Sequence, residues 1–226
     1  MNSPSARQAQ LLVLAPLDAA DFEDLLSSLR QKGISYEFSS QEPTPYAALE
    51  WLVPSAVVFA LTHSYFDGFV KEIAKDHYQW FKTAVESLHR KLLGKAPEKH
   101  FAVVSSGKAR KPSHFSGTLS FYFVSDHGYR VKLLFPLDIT LEDYLRSCEE
   151  FVSLLSAHVA QEPDDSLGEE VVLQATTRAA GSSPEHGLQG LTVLIFWDRH
   201  TECFRAVDAI ESAKTKTLVV RELGRA

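Results

Sequence analysis

A carboxyl, an imidazole and a phenol follow one another at Asp76, His77 and Tyr78, and all three groups can move protons. Advancing about 100° per residue along a helix places His77 inside an apolar arc and Asp76 at its edge. A buried imidazole there could act as an acid, a base or a pH switch, or it could be a core histidine whose nitrogens are both bonded. Because successive helical residues point about 100° apart, Asp76 is a poor partner, and we predict a neutral, structural His77.

Positive charge is concentrated in a second segment, at Lys108, Arg110 and Lys111, with His114 close by. The surrounding sequence departs from a phosphate-binding loop, because alanine stands where that motif needs its first glycine and its hydroxyl residue. A proline also blocks the helix whose N-terminus should face the phosphate. The segment is therefore interpreted either as a contact with a phosphate backbone or an acidic partner, or as a solvated connection.

Motifs for metals, cofactors and nucleophiles are incomplete throughout the sequence. His200 and Glu202 form the H-x-E of zinc deaminases, but the chain has no Pro-Cys-x-x-Cys to accompany it. Cys148 and Cys203 are the only two cysteines, too few for a disulfide framework or a thiolate metal site. We therefore predict no catalytic residues, no metal and no cofactor.

Composition limits the class of protein. Hydrophobic residues make up 45% and charged residues 23% of the 226, as in ordinary globular proteins. A net charge of −6 argues against a surface built entirely to hold nucleic acid or anionic lipid, although a local basic patch is compatible with it. Neither a signal peptide nor a stretch of the ~20 apolar residues that span a bilayer is found. We expect a soluble protein of the reducing cytoplasm.

The elements that position these residues predict an α+β fold with a β-α-β start. An apolar run at residues 10–15 predicts the first strand, and residues 19–32 predict an amphipathic helix. Asp18 can cap that helix and Gly33 can end it. Apolar and polar residues then alternate over residues 34–38, which is typical of a half-buried strand.

A long amphipathic central helix is the most regular feature of the sequence. The pattern becomes helical from Ser55, and residues 65–93 predict one continuous helix. Its apolar arc predicts four buried side chains in particular, those of Phe69, Ile73, Phe81 and Leu88.

Antiparallel strands and a further helix should follow. Residues 100–105, 117–125 and 129–135 read as strands, and the last two are separated by an Asp-His-Gly turn typical of a hairpin. Thr140 begins a capping box ahead of a helix that should close this unit near Ala160.

Beyond that helix the pattern changes to a β-rich C-terminal unit. Residues 161–168 read as a linker, and residues 179–189 as a long flexible loop. Strands are predicted at residues 170–177, 191–197, 202–207 and 217–223. We predict an α+β domain at residues 10–160 and a β-rich unit at residues 169–226, either a separate small domain or extra strands of the first sheet.

Two segments of the central helix carry a resemblance: Tyr65-Phe66-Asp67-Gly68-Phe69 and Lys75-Asp76-His77-Tyr78. With the order of elements over residues 10–160, the chain resembles small bacterial α+β proteins, including adaptor-like components of conflict systems. The resemblance implies a non-catalytic module that joins a sensor or effector to a protein partner or to itself. The alternative is a small enzyme or nucleic-acid-acting protein that uses His77 with Asp76, or the basic loop from Lys108 to Lys111.

Overall fold

The computed structural model describes residues 8–42, 55–66, 74–93, 114–179 and 183–223. The α+β class predicted from the sequence is confirmed, because helices are combined with a mixed sheet. The strands are β1 (Ala9–Leu14), β2 (Tyr36–Gln41), β3 (Val57–Thr62), β4 (Leu119–Val124), β5 (Arg130–Leu133), β6 (Thr192–Asp198), β7 (Cys203–Val207) and β8 (Val220–Glu222). The helices are α1 (Glu23–Gln31), α2 (Ala74–Leu92), α3 (Leu141–Val159), α4 (Ser166–Ala179), α5 (Pro184–Leu188) and α6 (Ala209–Thr215).

Within the described ranges, eight strands form one sheet in the order β2-β1-β3-β4-β5-β6-β7-β8. The pairs β1 with β2, β3 with β4, and β5 with β6 are parallel, and the remaining neighbours are antiparallel. Parallel neighbours need a crossover connection, and α1, α2 and the run from α3 to α5 lie in the three crossovers. The helices therefore cover the sheet between the strands that they join.

The β-α-β start is confirmed by β1, α1 and β2. Asp18 Oδ1 accepts the backbone N–H of Ala20 at 2.9 Å, just where a short 3₁₀ turn, Ala20–Phe22, leads into α1. At the other end Gly33 has a φ of +69°, a conformation that glycine adopts without the strain of a Cβ atom. Gly33 therefore ends α1 as predicted, whereas Asp18 bonds to the 3₁₀ turn and the N-cap position of α1 is Phe22, without a side-chain cap.

The helical pattern predicted from Ser55 is wrong at its beginning. Val57–Thr62 is β3, a strand between β1 and β4 in the middle of the sheet. A strand buried on both sides loses its polar alternation and reads as a continuous apolar run, which periodicity cannot distinguish from a buried helix. Helix resumes at residues 63–66 and again in α2, while residues 67–73 lie outside the described ranges.

The predicted hairpin and the helix after it are both confirmed. β4 and β5 pair antiparallel through the turn at residues 125–129, with Gly128 at a φ of +85°. Thr140 Oγ1 accepts the backbone N–H of Asp143 at 3.1 Å and caps α3, which ends at Val159. The strand predicted at residues 100–105 lies outside the described part of the chain.

The strand predicted at residues 170–177 is wrong, because these residues belong to α4. Leu167, Glu170, Val171 and Ala175 are the buried positions, and their spacing of three to four residues is helical. Two adjacent valines, Val171 and Val172, raise the strand propensity of this segment. The positions that are buried in the fold have helical spacing, and this burial outweighs the local propensity. Two neighbouring predictions change with it: the linker expected at residues 161–168 already contains the start of α4, and the loop expected at residues 179–189 contains α5.

The C-terminal strands extend the first sheet. β6 pairs in parallel with β5, and the strands predicted at residues 191–197 and 202–207 are β6 and β7, which form an antiparallel hairpin. β8 adds the last strand beside β7. Whether residues after 161 fold independently stays a prediction.

Alternate residues of each strand face opposite sides of the sheet. On one side they meet α1, α2, α3 and α4 in a large core, to which β1, β3, β4 and β5 give Leu11, Phe59, Phe121, Phe123, Val131 and Leu133. On the other side a smaller apolar cluster lies near β6 to β8, formed by Phe115, Leu134, Leu194 and Val207. The two faces are therefore unequal: one is packed by helices, and the other holds the candidate site.

Candidate functional site

Asp76, His77 and Tyr78 lie in the first turns of α2, with side chains outside the described part of the structure. The prediction of a neutral, structural His77 therefore stays a prediction. A described histidine of this helix, His89, is 7% exposed, and its ring centre lies 4.8 Å from that of Tyr144. Burial lowers the pKa of His89, which favours the neutral imidazole against the core.

Of the predicted basic loop, Lys108, Arg110 and Lys111 also lie outside the described residues. His114 is described and is exposed to solvent. The contact of this loop with a phosphate or an acidic partner therefore stays a prediction.

A cleft with a volume of about 440 Å³ lies on the sheet face opposite the helices. We call it the sheet-face cleft, and its described lining comes from β1, β2, β3, β4, the start of β5, and Ser55. Leu12, Leu14 and Val58 give it aliphatic walls, and Ala60 leaves room between them because its side chain is a single methyl group. Apolar pockets with a few polar groups are where proteins bind ligands most often.

Strand register brings the polar side chains of the sheet-face cleft together. Gln10 pairs with Ala60, Ala60 with Tyr122, and Tyr122 with Lys132, so these four residues form one row across β1, β3, β4 and β5. Arg130 stands two residues before Lys132 on the same strand and on the same face. A phenol and a guanidinium group therefore line one end of an aliphatic cleft, and a buried ammonium group lies beside the phenol.

Burial changes the proton affinity of two of these groups. Burial raises the pKa of Tyr122 to about 12, and the nearby Arg130 guanidinium acts in the opposite direction. The phenol thus keeps its proton at neutral pH and can donate a hydrogen bond. Lys132 is 1% exposed, its Nζ lies 5.3 Å from the centre of the Tyr122 ring, and burial lowers its pKa to about 8. A buried lysine with a lowered pKa is typical of functional sites but also occurs in purely structural ones.

Sequence reasoning missed Tyr122, Arg130 and Lys132 as site residues. One signal was available, because Lys132 is charged and stands between Val131 and Leu133 in an otherwise apolar strand. The other two residues look like the ordinary exposed positions of a hairpin until the register places them beside β3.

A second polar cluster joins the β4–β5 hairpin to the corner between α3 and α4. The Tyr129 hydroxyl is hydrogen bonded to Nε2 of His158, and Nδ1 of His158 lies 2.7 Å from Oδ2 of Asp165. Since a carboxylate can only accept, Nδ1 donates, and Nε2 of the neutral ring accepts from the phenol. The Tyr129 ring is 6% exposed, packs against Phe123 and has its pKa raised mainly by burial. The chain joins the β4–β5 hairpin to the start of α4, with His158 and Asp165 partly exposed, and we interpret it as structural.

Asp165 has a second task, because its Oδ1 accepts the backbone N–H of Gly168 at 2.8 Å in the first turn of α4. A Cβ atom on Gly168 would lie 2.2 Å from Oδ2 of Asp165, so glycine permits this close approach. We expect Asp165→Ala to lower the free energy of unfolding by about 1–2 kcal/mol, since it removes a helix cap and a hydrogen bond to His158. Urea unfolding measures this, with exposed Asp164→Ala as the matched control. Equal losses in the two variants would contradict it.

A smaller cavity of about 210 Å³ lies at the carboxyl ends of β5 and β6. Two of its three acidic groups are already engaged: Asp198 Oδ2 lies 2.7 Å from Nε of Arg205, and Asp143 accepts from Thr140 at 2.9 Å. The rejected H-x-E motif borders it, and Glu202 of that motif is 2.6 Å from Arg146. These pairs stabilise the loop ends and leave the sheet-face cleft as the better candidate.

Comparisons with protein-family models, with curated proteins and with solved structures gave no match. In the part of the chain that the structure describes, no group of three or more histidine, cysteine or acidic residues could hold a metal ion. No helix in the described ranges is both long and apolar enough to cross a membrane. The candidate site is therefore assessed on its own geometry.

Proposed function

We propose that this chain is a non-catalytic interaction module of the bacterial cytoplasm that binds a segment of a protein partner, or of a second copy, in the sheet-face cleft. The observation that carries the proposal is the cleft itself, in which Leu12, Leu14 and Val58 form aliphatic walls on a sheet face opposite the helices. Apolar side chains of a partner gain about 25 cal/mol for each Å² that they remove from water in such a cleft.

Binding explains the chemistry of the cleft better than catalysis does. Lys132 is only 1% exposed, and its Nζ lies 5.3 Å from the centre of the Tyr122 ring, so its amine does not open to a substrate. The hydroxyl–imidazole–carboxylate chain of Tyr129, His158 and Asp165 is in another part of the fold, and Asp165 also accepts the Gly168 N–H in the first turn of α4. Catalytic use of His77 with Asp76 remains the alternative proposal.

The cysteines support a reducing compartment. Cys148 and Cys203 are both free thiols, and Cys148 is buried in the core against α2 and the sheet. Burial raises the pKa of the Cys148 thiol well above its usual value, which keeps it protonated and unreactive. Neither thiol needs an oxidising environment for the fold.

The test is to fill the cleft. Ala60→Leu replaces a methyl group by an isobutyl group between the cleft walls, and the control Val172→Leu enlarges a side chain that is 58% exposed on α4. Labelled proteins are applied to an array of random synthetic octapeptides. We expect Ala60→Leu to weaken the binding of wild-type ligands about tenfold or more, equivalent to about 1.4 kcal/mol, and Val172→Leu to leave it unchanged.

Thermal unfolding of both variants shows whether each is folded before binding is compared. Should no peptide bind the wild type, or should the same peptides bind Ala60→Leu as tightly, the cleft is not an interaction site and the proposed function is wrong.

A further inference from the structure

Arg130 is the arginine among the described residues of the cleft lining. It lines the sheet-face cleft, its side chain is exposed, and among the described residues it forms no ion pair. Carboxylates within salt-bridge distance are found instead at Arg30, Arg146, Arg199, Arg205 and Arg221. A guanidinium group that opens onto an apolar cleft is available to a ligand.

The surroundings of Arg130 add further positive charge and a hydrogen-bond donor. Tyr122 also lines the cleft, and the pKa of its phenol is raised by burial and lowered by the Arg130 charge. Nζ of Lys132 lies 5.3 Å from the centre of the Tyr122 ring. No aspartate or glutamate occurs among the described residues of the cleft lining. This end of the cleft is therefore complementary to an anion, and an arginine fork matches the two oxygens of a carboxylate.

The rest of the cleft determines which kind of anion fits. From Leu14 to Gln10 the wall follows β1 over four residue steps, roughly 13 Å at the rise of an extended chain. Leu12, Val58 and Ala60 make this stretch aliphatic, which suits alternate apolar side chains and offers nothing to a sugar-phosphate backbone. An extended peptide with aliphatic residues and one terminal or side-chain carboxylate matches both the length and the charge.

We infer that the sheet-face cleft binds an extended aliphatic peptide segment whose carboxylate pairs with Arg130 and accepts a hydrogen bond from Tyr122. The inference rests on the proposed function and adds the chemistry of the partner. The carboxylate belongs either to an acidic side chain or to the end of the partner chain, and these two sources are distinguished by experiment.

The octapeptide array also tests the inference. The peptides to compare are those that bind the wild type but bind Ala60→Leu more weakly, and their sequences are examined for shared residues. We expect these cleft-dependent ligands to be enriched in aspartate or glutamate at one position, or to require a free C-terminus. Arg130→Gln should weaken them about three- to tenfold, and Arg178→Gln, which neutralises an exposed arginine on α4, should not. Replacing the acid by its amide, or the terminal carboxylate by a carboxamide, then shows which source is used.

Several outcomes overturn the inference. Cleft-dependent ligands without acidic enrichment, or ligands unaffected by Arg130→Gln, would reject the carboxylate while leaving the proposed function intact. Displacement of the peptides by a single-stranded DNA oligonucleotide in an Arg130-dependent manner would assign the site to nucleic acid. Binding that does not depend on the cleft would reject the proposed function together with the inference.

Discussion

Replacing Lys132 by methionine is expected to raise the free energy of unfolding by about 2 kcal/mol at pH 7. Burial lowers the pKa of this lysine from 10.5 to about 8, which corresponds to about 3 kcal/mol lost when the protonated side chain is buried. Methionine fills a similar volume without a charge. The variant also loses the cation–π contact with Tyr122, which offsets about 1 kcal/mol of the gain.

The pH dependence of this difference follows from the direction of the shift. Between the folded pKa of about 8 and the unfolded value of 10.5, the unfolded chain binds more protons, so the wild type gains stability as pH rises. Lys132→Met lacks this dependence, and the difference between the two proteins should be at least halved at pH ~9.5. The raised pKa values of Tyr122 and Tyr129 affect both proteins alike and cancel in the comparison.

Urea unfolding at both pH values checks this prediction, with the exposed Lys82→Met as the control that should change little. If Lys132→Met is less stable than the wild type at pH 7, the contacts of the ammonium group stabilise the fold by more than the burial of its charge destabilises it.

Truncating Phe81 to alanine is expected to cost about 3–5 kcal/mol of stability. Phe81 is 3% exposed, and its ring meets that of Phe121 edge to face at 6.4 Å between centres. The substitution leaves a cavity between α2 and β4 that rigid neighbours fill only in part. The exposed neighbour Lys82→Ala is the control in chemical denaturation. A change near zero would mean that this face of α2 is not part of the core.

Features that depend on a few neighbouring residues were predictable from the sequence. Thr140 caps α3, Asp18 bonds to the turn that leads into α1, Gly33 ends α1, and the turn around Gly128 closes the β4–β5 hairpin, because each acts on backbone groups a few residues away. The apolar arc of α2 was predictable for the same reason, and burial of its members Phe81 and Leu88 is confirmed. Phe69 and Ile73 lie outside the described residues.

Errors arose where burial in the whole fold decides between helix and strand. β3 looks apolar on every side because Val58 and Ala60, which line the cleft, are as apolar as Val57, Phe59 and Leu61, which face the helices. α4 contains adjacent valines, yet Leu167, Val171 and Ala175 are the positions that reach the core. Local propensity is weak enough for such contacts to override it.

The candidate site was hidden for a different reason. Gln10, Ala60, Tyr122 and Lys132 are far apart in the sequence, and pairing across four strands puts them in one row. A single sequence contains no direct sign of strand order. The charge of Lys132 inside an apolar strand was the one local signal of this site in the sequence. The sequence around Arg130 contains no comparable signal.

The contrast between the two faces of the sheet also protects the pairing of β4 with β5 against slippage. A shift of one residue would exchange the faces of a strand. It would bring Lys132 toward the aromatic side chains around Phe121, and it would turn Val131 and Leu133, both 0% exposed, away from the helices. The charge that lowers the stability of the correct arrangement thus penalises the wrong alignment even more. Lys132→Met removes this charge. The variant is therefore expected to be more stable in the correct pairing and also less protected against alternative strand pairings.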